Sequence, residues 1–216
     1  MYRGNALKDA LAVYLVTDER SSINDCLRVV RQALEGGATT VQLRRKHDDG
    51  RILVQMGQAI RDMTREYHAL YIVNDRVDIA LITDADGVHV GQSDIAYADV
   101  RSLLGKEKVI GVSVSTIAEA DEALAKGADY LGVGSVFPTR SKSDADLCGI
   151  AGLREIANLA RRYGTRRTPT VAIGGITAAN ASEVLGAGAD GLAVVSAIMQ
   201  ADNPADAARN FRQLFS

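Results

Sequence analysis

The sequence predicts an α/β fold, a single (β/α)8 TIM barrel over residues 1–216. Three observations carry this. Short β-branched runs alternate with longer stretches of helical spacing. A glycine-containing junction recurs between them: Gly37-Ala38, Gly127-Ala128-Asp129 and Gly188-Ala189-Asp190 each precede a strand. Polar and glycine-rich groups follow the ends of those runs, on the side where a parallel barrel builds its sites.

The runs, in order, are Ala12–Thr17, Thr39–Leu43, Leu70–Val73, Gly87–Val90, Val109–Ser113, Tyr130–Val133, Thr170–Ile173 and Gly191–Val195. Their nearly continuous apolar content suits strands buried on both faces. Helical spacing is clearest over Cys26–Glu35, Ile52–Tyr67, Ile117–Lys126 and Ala178–Leu185. Three of these stop at glycine: Gly36-Gly37, Gly127 and Gly186. An open doubly wound sheet is the alternative. It is disfavoured because the first strand is not followed by a GxGxxG turn and no second domain is evident.

Composition narrows the function. The chain is 47% hydrophobic and 24% charged, with a formal net charge of −2 and interspersed signs. That balance gives no basis for broad attraction to nucleic acid or membrane. The first residues are polar and lack a signal-peptide core, so a soluble, cytoplasmic protein is expected. Two cysteines cannot form a disulfide framework or a metal knuckle; Cys26 reads as core and Cys148 as incidental in a loop. His47 and His68 read as exposed. His89, inside the fourth strand, could face the barrel or the helices, and a structural histidine is the favoured reading.

Candidate site residues cluster after the strands. Arg44 and Lys46 stand two apart at the end of the second strand and can point the same way, a fork and a point charge suited to diphosphate. A solvated basic loop is the competing reading. Asp75 and Asp94 lie on neighbouring loops, where two carboxylates plus phosphate oxygens and waters suit Mg²⁺. Helix capping competes here, and for Asp75 alone it would come first. Gly174-Gly175, leading into a helix, suits a phosphate cradle, with Gly191–Ser196 supplying the next strand end. An ordinary tight turn is the alternative.

The ordered motifs resemble the thiamine-phosphate synthase family over essentially the whole chain. They are Tyr14-Leu15-Val16-Thr17-Asp18, Gln42-Leu43-Arg44-x-Lys46, Asn74-Asp75-Arg76 and Asp86 to Gln92 with Asp94. Gly111-Val112-Ser113, Gly132-Val133-Gly134, Pro138-Thr139-x-Ser141-Lys142, Ala172 to Ile176 and Val194 to Ile198 complete the set. The resemblance implies condensation of a pyrimidine diphosphate with a thiazole phosphate, with Mg²⁺, through a pyrimidine carbocation captured by the thiazole nitrogen. It implies that Gln42, Arg44, Lys46, Asn74, Ser113 and Lys142 hold the pyrimidine and diphosphate, with Leu43 and Arg45 in the same substrate-binding stretch. Arg44, Lys46, Ser113 and Lys142 would carry the catalysis. Asp75 and Asp94 would bind Mg²⁺; Thr139, Arg140 and Ser141 would contact the thiazole; Gly175, Val195 and Ser196 would hold its phosphate. A homodimer is compatible with the chain and not fixed by it.

Two departures stand out. Arg45 replaces the acidic residue usual at the fourth position of its motif, adding a cation toward the diphosphate or outward. Ser143–Cys148 is poor in proline compared with many relatives. The sibling thiazole tautomerases use a histidine two residues beyond the Gly-Val-Ser serine, where this chain has Ser115. A non-catalytic binder would have no need of the paired carboxylates.

Overall fold

The computed structural model describes residues 4–19, 21–139, 147–164 and 167–215. Eight parallel strands close into a barrel in sequence order, the last pairing with the first. They are β1 Val13–Val16, β2 Thr40–Leu43, β3 Leu70–Asn74, β4 Gly87–Val90, β5 Val109–Val114, β6 Tyr130–Val133, β7 Thr170–Ile173 and β8 Gly191–Val194. All eight expected runs are strands, with ends shifted by a residue or so.

The helices are α1 Asn5–Ala10, α2 Ile23–Glu35, α3 Gly50–Glu66, α4 Val77–Ile82, α5 Tyr97–Leu104, α6 Ile117–Lys126, α7 Gly149–Arg162, α8 Ala181–Gly186, α9 Ser196–Met199 and α10 Pro204–Arg212. α6 has the expected bounds and a full capping box between Thr116 and Glu119. The helix expected from Ala178 begins only at Ala181, because Asn180 bonds back to the Gly175 carbonyl at 3.0 Å and closes a turn first.

Side-chain parity divides the strands. Val13, Leu15, Val41, Leu43, Tyr71, Val73, Val88, Ile110, Val112, Leu131 and Val133 point outward into the core beneath the helices. Tyr14, Val16, Leu70, Ile72, Val109, Tyr130, Val171 and Ala193 point into the barrel. A strand repeats every two residues, so Gln42, Asn74, His89 and Ser113 share the inward parity. Leu7 and Leu11, at and just beyond α1, join the inner cluster. The Ala10 carbonyl accepts from Thr40 Oγ1 at the start of β2, so α1 closes the end of the barrel where strands begin.

The recurring junction has a structural explanation. Before each even-numbered strand, one side chain accepts from a backbone N–H of the preceding odd strand. Thr39 Oγ1 accepts from Val13 at 2.9 Å and Asp86 from Tyr71 at 2.8 Å. Asp129 accepts from Ile110 at 3.0 Å and Asp190 from Thr170 at 3.1 Å. The three aspartates also pair with Arg61, Arg101 and Arg167 respectively. Each carboxylate thereby occupies a donor at the strand-start face and ties two strands together.

Candidate active site

At the opposite end a cavity opens over the barrel axis, with about 1110 Å³ of free space including its mouth. Its walls include Gln42, Arg44, Lys46, Asn74, Asp75, Asp94, Ser113, Thr139, Gly175, Val195 and Ser196. Residues of β2, β3 and β5 and of the segments that follow β2, β3, β4, β6, β7 and β8 therefore meet in one place.

Parity accounts for the two exceptions in the β2 motif. Leu43 points outward into the hydrophobic core and is 2% exposed. Arg45 also points away. Its guanidinium pairs with Asp48 and donates to the Asp18 and Ser21 carbonyls at 3.2 and 2.9 Å. The geometry thus resolves the direction of this unusual arginine: outward. Gln42, Arg44 and Lys46 alternate onto the inner side. Thr17, just past β1, holds the Arg44 backbone through both its N–H (2.9 Å) and its carbonyl (3.2 Å). Glu19 accepts from the Lys46 backbone N–H and bonds the exposed His47 at 2.8 Å. A loop of consecutive cations is thus fixed by backbone ties, which a merely solvated loop would lack.

Lys46 Nζ lies 3.1 Å from Asp75 Oδ2. Burial raises the Asp75 pKa, the adjacent Asp94 carboxyl raises it further, and Lys46 opposes both. Neither aspartate caps a helix: Arg76 and Ala96 occupy the N-cap positions of α4 and α5. Asp75 takes a left-handed φ of 59°, and its N–H donates to the His89 carbonyl at 2.9 Å. Asp94 Oδ2 accepts from the Gly91 N–H at 2.7 Å. The result is two crowded carboxylates beside one lysine.

Across the cavity, Gly174 and Gly175 have φ of 104° and 64°. A Cβ on Gly174 would sit 2.1 Å from Ser135 Oγ, and one on Gly175 would sit 2.7 Å from Phe137 Cβ. Glycine is required here by both conformation and space. Val195 and Ser196 stand beside them at the start of α9. Arg140, Ser141 and Lys142 lie outside the described residues, as does most of the proline-poor stretch Ser143–Cys148.

The comparisons with known proteins bear on this geometry. Residues 13–198 match the family model described as thiamine monophosphate synthase. The thiamine-phosphate synthase of Pyrococcus furiosus is 45% identical over 208 residues, covering 96% of each chain. The chain belongs to the thiamine monophosphate synthase family. The Moorella thermoacetica thiamine-phosphate synthase is 48% identical over 201 residues, 93% of each chain. A solved structure of thiamine phosphate pyrophosphorylase from Pyrococcus furiosus superposes with a TM-score of 0.84 at 42% identity, covering 96% of both chains. A 3-hexulose-6-phosphate synthase structure, at 21% identity and a TM-score of 0.63, shares the fold alone.

One feature of the cavity floor is not evident from the sequence of this family member. Tyr14, Tyr130 and His89 line it and are hydrogen-bonded to one another and to Gln42 and Ser113. The signal was present as polar residues at inward parity, but a strand histidine or tyrosine reads equally well as packing. Burial drives the Tyr14 and Tyr130 pKa values far up, so both phenols keep their protons. Cys26 is fully buried, as expected, and burial raises its thiol to about 11. No described helix is long and apolar enough to cross a membrane.

Proposed function

We propose that this enzyme condenses 4-amino-2-methyl-5-(diphosphooxymethyl)pyrimidine with 4-methyl-5-(2-phosphoethyl)thiazole, giving thiamine phosphate and pyrophosphate. One observation carries the reading. A single cavity has a cation and carboxylate cluster at one side and a glycine-lined anion cradle at the other. Such a cavity suits two phosphorylated substrates held with their reactive ends together.

In this reading Arg44, Lys46 and Asn74 receive the diphosphate. Gln42 and Ser113 hold the pyrimidine ring. Gly175, Val195 and Ser196 take the thiazole phosphate, with Thr139 beside the thiazole. Arg140, Ser141 and Lys142 keep the roles that the family resemblance gives them. The bond from the pyrimidine methylene to the diphosphate oxygen breaks, and the oxygen departs with the electron pair. The thiazole nitrogen then donates its lone pair to the methylene carbon. Lys46 and Arg44 offset charge as it builds on the leaving oxygens. No side chain needs to act as a nucleophile, so positioning and charge stabilisation account for the chemistry.

The donor set fits Mg²⁺. Asp75 and Asp94 are hard oxygen ligands held close enough for Asp94 to disfavour ionisation of Asp75, an arrangement that a divalent cation relieves. Among the described residues no third His, Cys, Asp or Glu joins them as a ligand group, leaving positions for substrate oxygens and water. With Mg²⁺ held by the pair, the chemistry supplied is neutralisation of diphosphate charge.

The tautomerase alternative gains nothing from the geometry. Ser115 is engaged by Glu119, donating through its N–H at 2.6 Å and its Oγ at 3.0 Å. The test is incubation with each substrate alone and with both, with and without a chelator. Thiamine phosphate and pyrophosphate are expected in equal amounts only with both substrates and Mg²⁺. Their absence from correctly folded protein would overturn the proposal.

A further inference from the structure

Five side chains cross the cavity floor as one hydrogen-bonded chain. Gln42 Nε2 donates to the Tyr14 hydroxyl at 2.8 Å, and the Tyr14 and Tyr130 hydroxyls lie 2.8 Å apart. His89 Nδ1 is 2.9 Å from the Tyr130 hydroxyl, and its Nε2 is 2.8 Å from Ser113 Oγ. The space for this chain is built in. A Cβ at Gly111 would meet the Tyr130 ring at 2.1 Å, and one at Gly132 would meet His89 Cε1 at 2.7 Å. Two strand interiors give up a side chain so that these rings can meet.

The chain has a direction. With Gln42 Nε2 donating to the Tyr14 oxygen, the orientation that satisfies every group sends the Tyr14 proton to Tyr130. In that orientation the Tyr130 proton goes to His89 Nδ1. A neutral imidazole that accepts at Nδ1 carries its hydrogen on Nε2 and donates it to Ser113. Reversing any one link would place two protons, or none, between a pair of polar atoms, so the links are oriented together. At the two ends Gln42 and Ser113 line the cavity, and in this orientation the Gln42 carbonyl acceptor and the Ser113 hydroxyl proton are the groups the chain itself does not use.

We propose that Tyr14, Tyr130 and His89 are positioning residues whose hydrogen-bond polarity makes the site select a 4-aminopyrimidine over its 4-oxo counterpart. The inference rests on the pyrimidine reading given above. An aminopyrimidine offers an exocyclic donor and an unprotonated ring nitrogen, which complement a Gln42 acceptor and a Ser113 donor. The 4-oxo form presents a carbonyl acceptor and a ring N–H donor, the reverse pattern. A site built to hydrogen-bond one pattern rejects the other because its buried groups are left unpaired.

Two measurements test this. In ¹⁵N-histidine-labelled enzyme, NMR should show His89 neutral, with hydrogen on Nε2 and none on Nδ1. Hydrogen on Nδ1, alone or in an imidazolium, overturns the polarity. The second compares kcat/KM for the 4-amino and 4-oxo pyrimidine diphosphates in the unaltered enzyme and in Tyr130→Phe, which keeps the ring and removes only the hydroxyl. The preference for the amino substrate should fall by about tenfold or more in the variant, with KM for the thiazole phosphate unchanged. An equal loss for both pyrimidines, leaving the preference intact, means a structural role only and contradicts the proposal. If Tyr130→Phe does not fold, Tyr14→Phe makes the same comparison. The NMR result needs no turnover, so failure of the condensation reading and failure of the relay are separate outcomes.

Discussion

Asp75 and Asp94 illustrate how single residues divide between structure and chemistry. Neither caps a helix, and both line the cavity beside Lys46. Asp94→Ala should therefore leave the fold intact and lower condensation by about 10²–10³-fold, the scale of losing a preorganised charge-stabilising group. Pyrophosphate release at limiting Mg²⁺, with a thermal melt as control, checks this; full turnover would remove Asp94 from the metal pair. Arg45 is the counter-case. Its guanidinium serves Asp48 and two backbone carbonyls, with a side chain only 9% exposed. Arg45→Ala should cost about 1–3 kcal/mol of stability and leave kcat within about twofold. A large loss of activity with unchanged stability would return Arg45 to the diphosphate site. At this scale the sequence shows which residue types gather, and strand parity extended from Gln42 reaches Arg44 and Lys46. The hydrogen-bonded floor was not legible, since its partners come from β1, β2, β4, β5 and β6, far apart in the chain.

Among the elements, the strands were readable because parallel barrel strands bury both faces and so stand out as apolar runs. α6 was readable through its helical spacing and terminal glycine. The short helices α1, α4 and α9 each have six residues or fewer, too few to establish a period. The repeated junction was visible as spelling, but its purpose required the fold. Asp129, 5% exposed, holds an N–H of β5 and pairs with Arg101. Removing the carboxylate strands a partly buried cation and a backbone donor. Asp129→Ala should lower unfolding free energy by about 3 kcal/mol, read by urea titration, with kcat unaffected. An unchanged midpoint would mean that the strand-start ties are dispensable.

The whole molecule separates stability from chemistry along the barrel axis. α1 and the inner apolar cluster close the end where strands begin, while the polar residues at inward parity gather toward the other. Leu7 is fully buried in that lower cluster. Leu7→Ala should cost about 2–5 kcal/mol of stability while KM for both substrates stays the same, measured below the lowered melting point. A selective rise in one KM would show that the two ends are coupled. In the proposed function the upper end has two anion-binding sides serving two substrates. A crystal structure with thiamine phosphate, pyrophosphate and Mg²⁺ tests it most directly. Pyrophosphate should lie against Arg44 and Lys46 with the metal on Asp75 and Asp94, and the thiamine phosphoryl group against Gly175 and Ser196. Both phosphate groups on one side, or either one outside the cavity, would contradict the account.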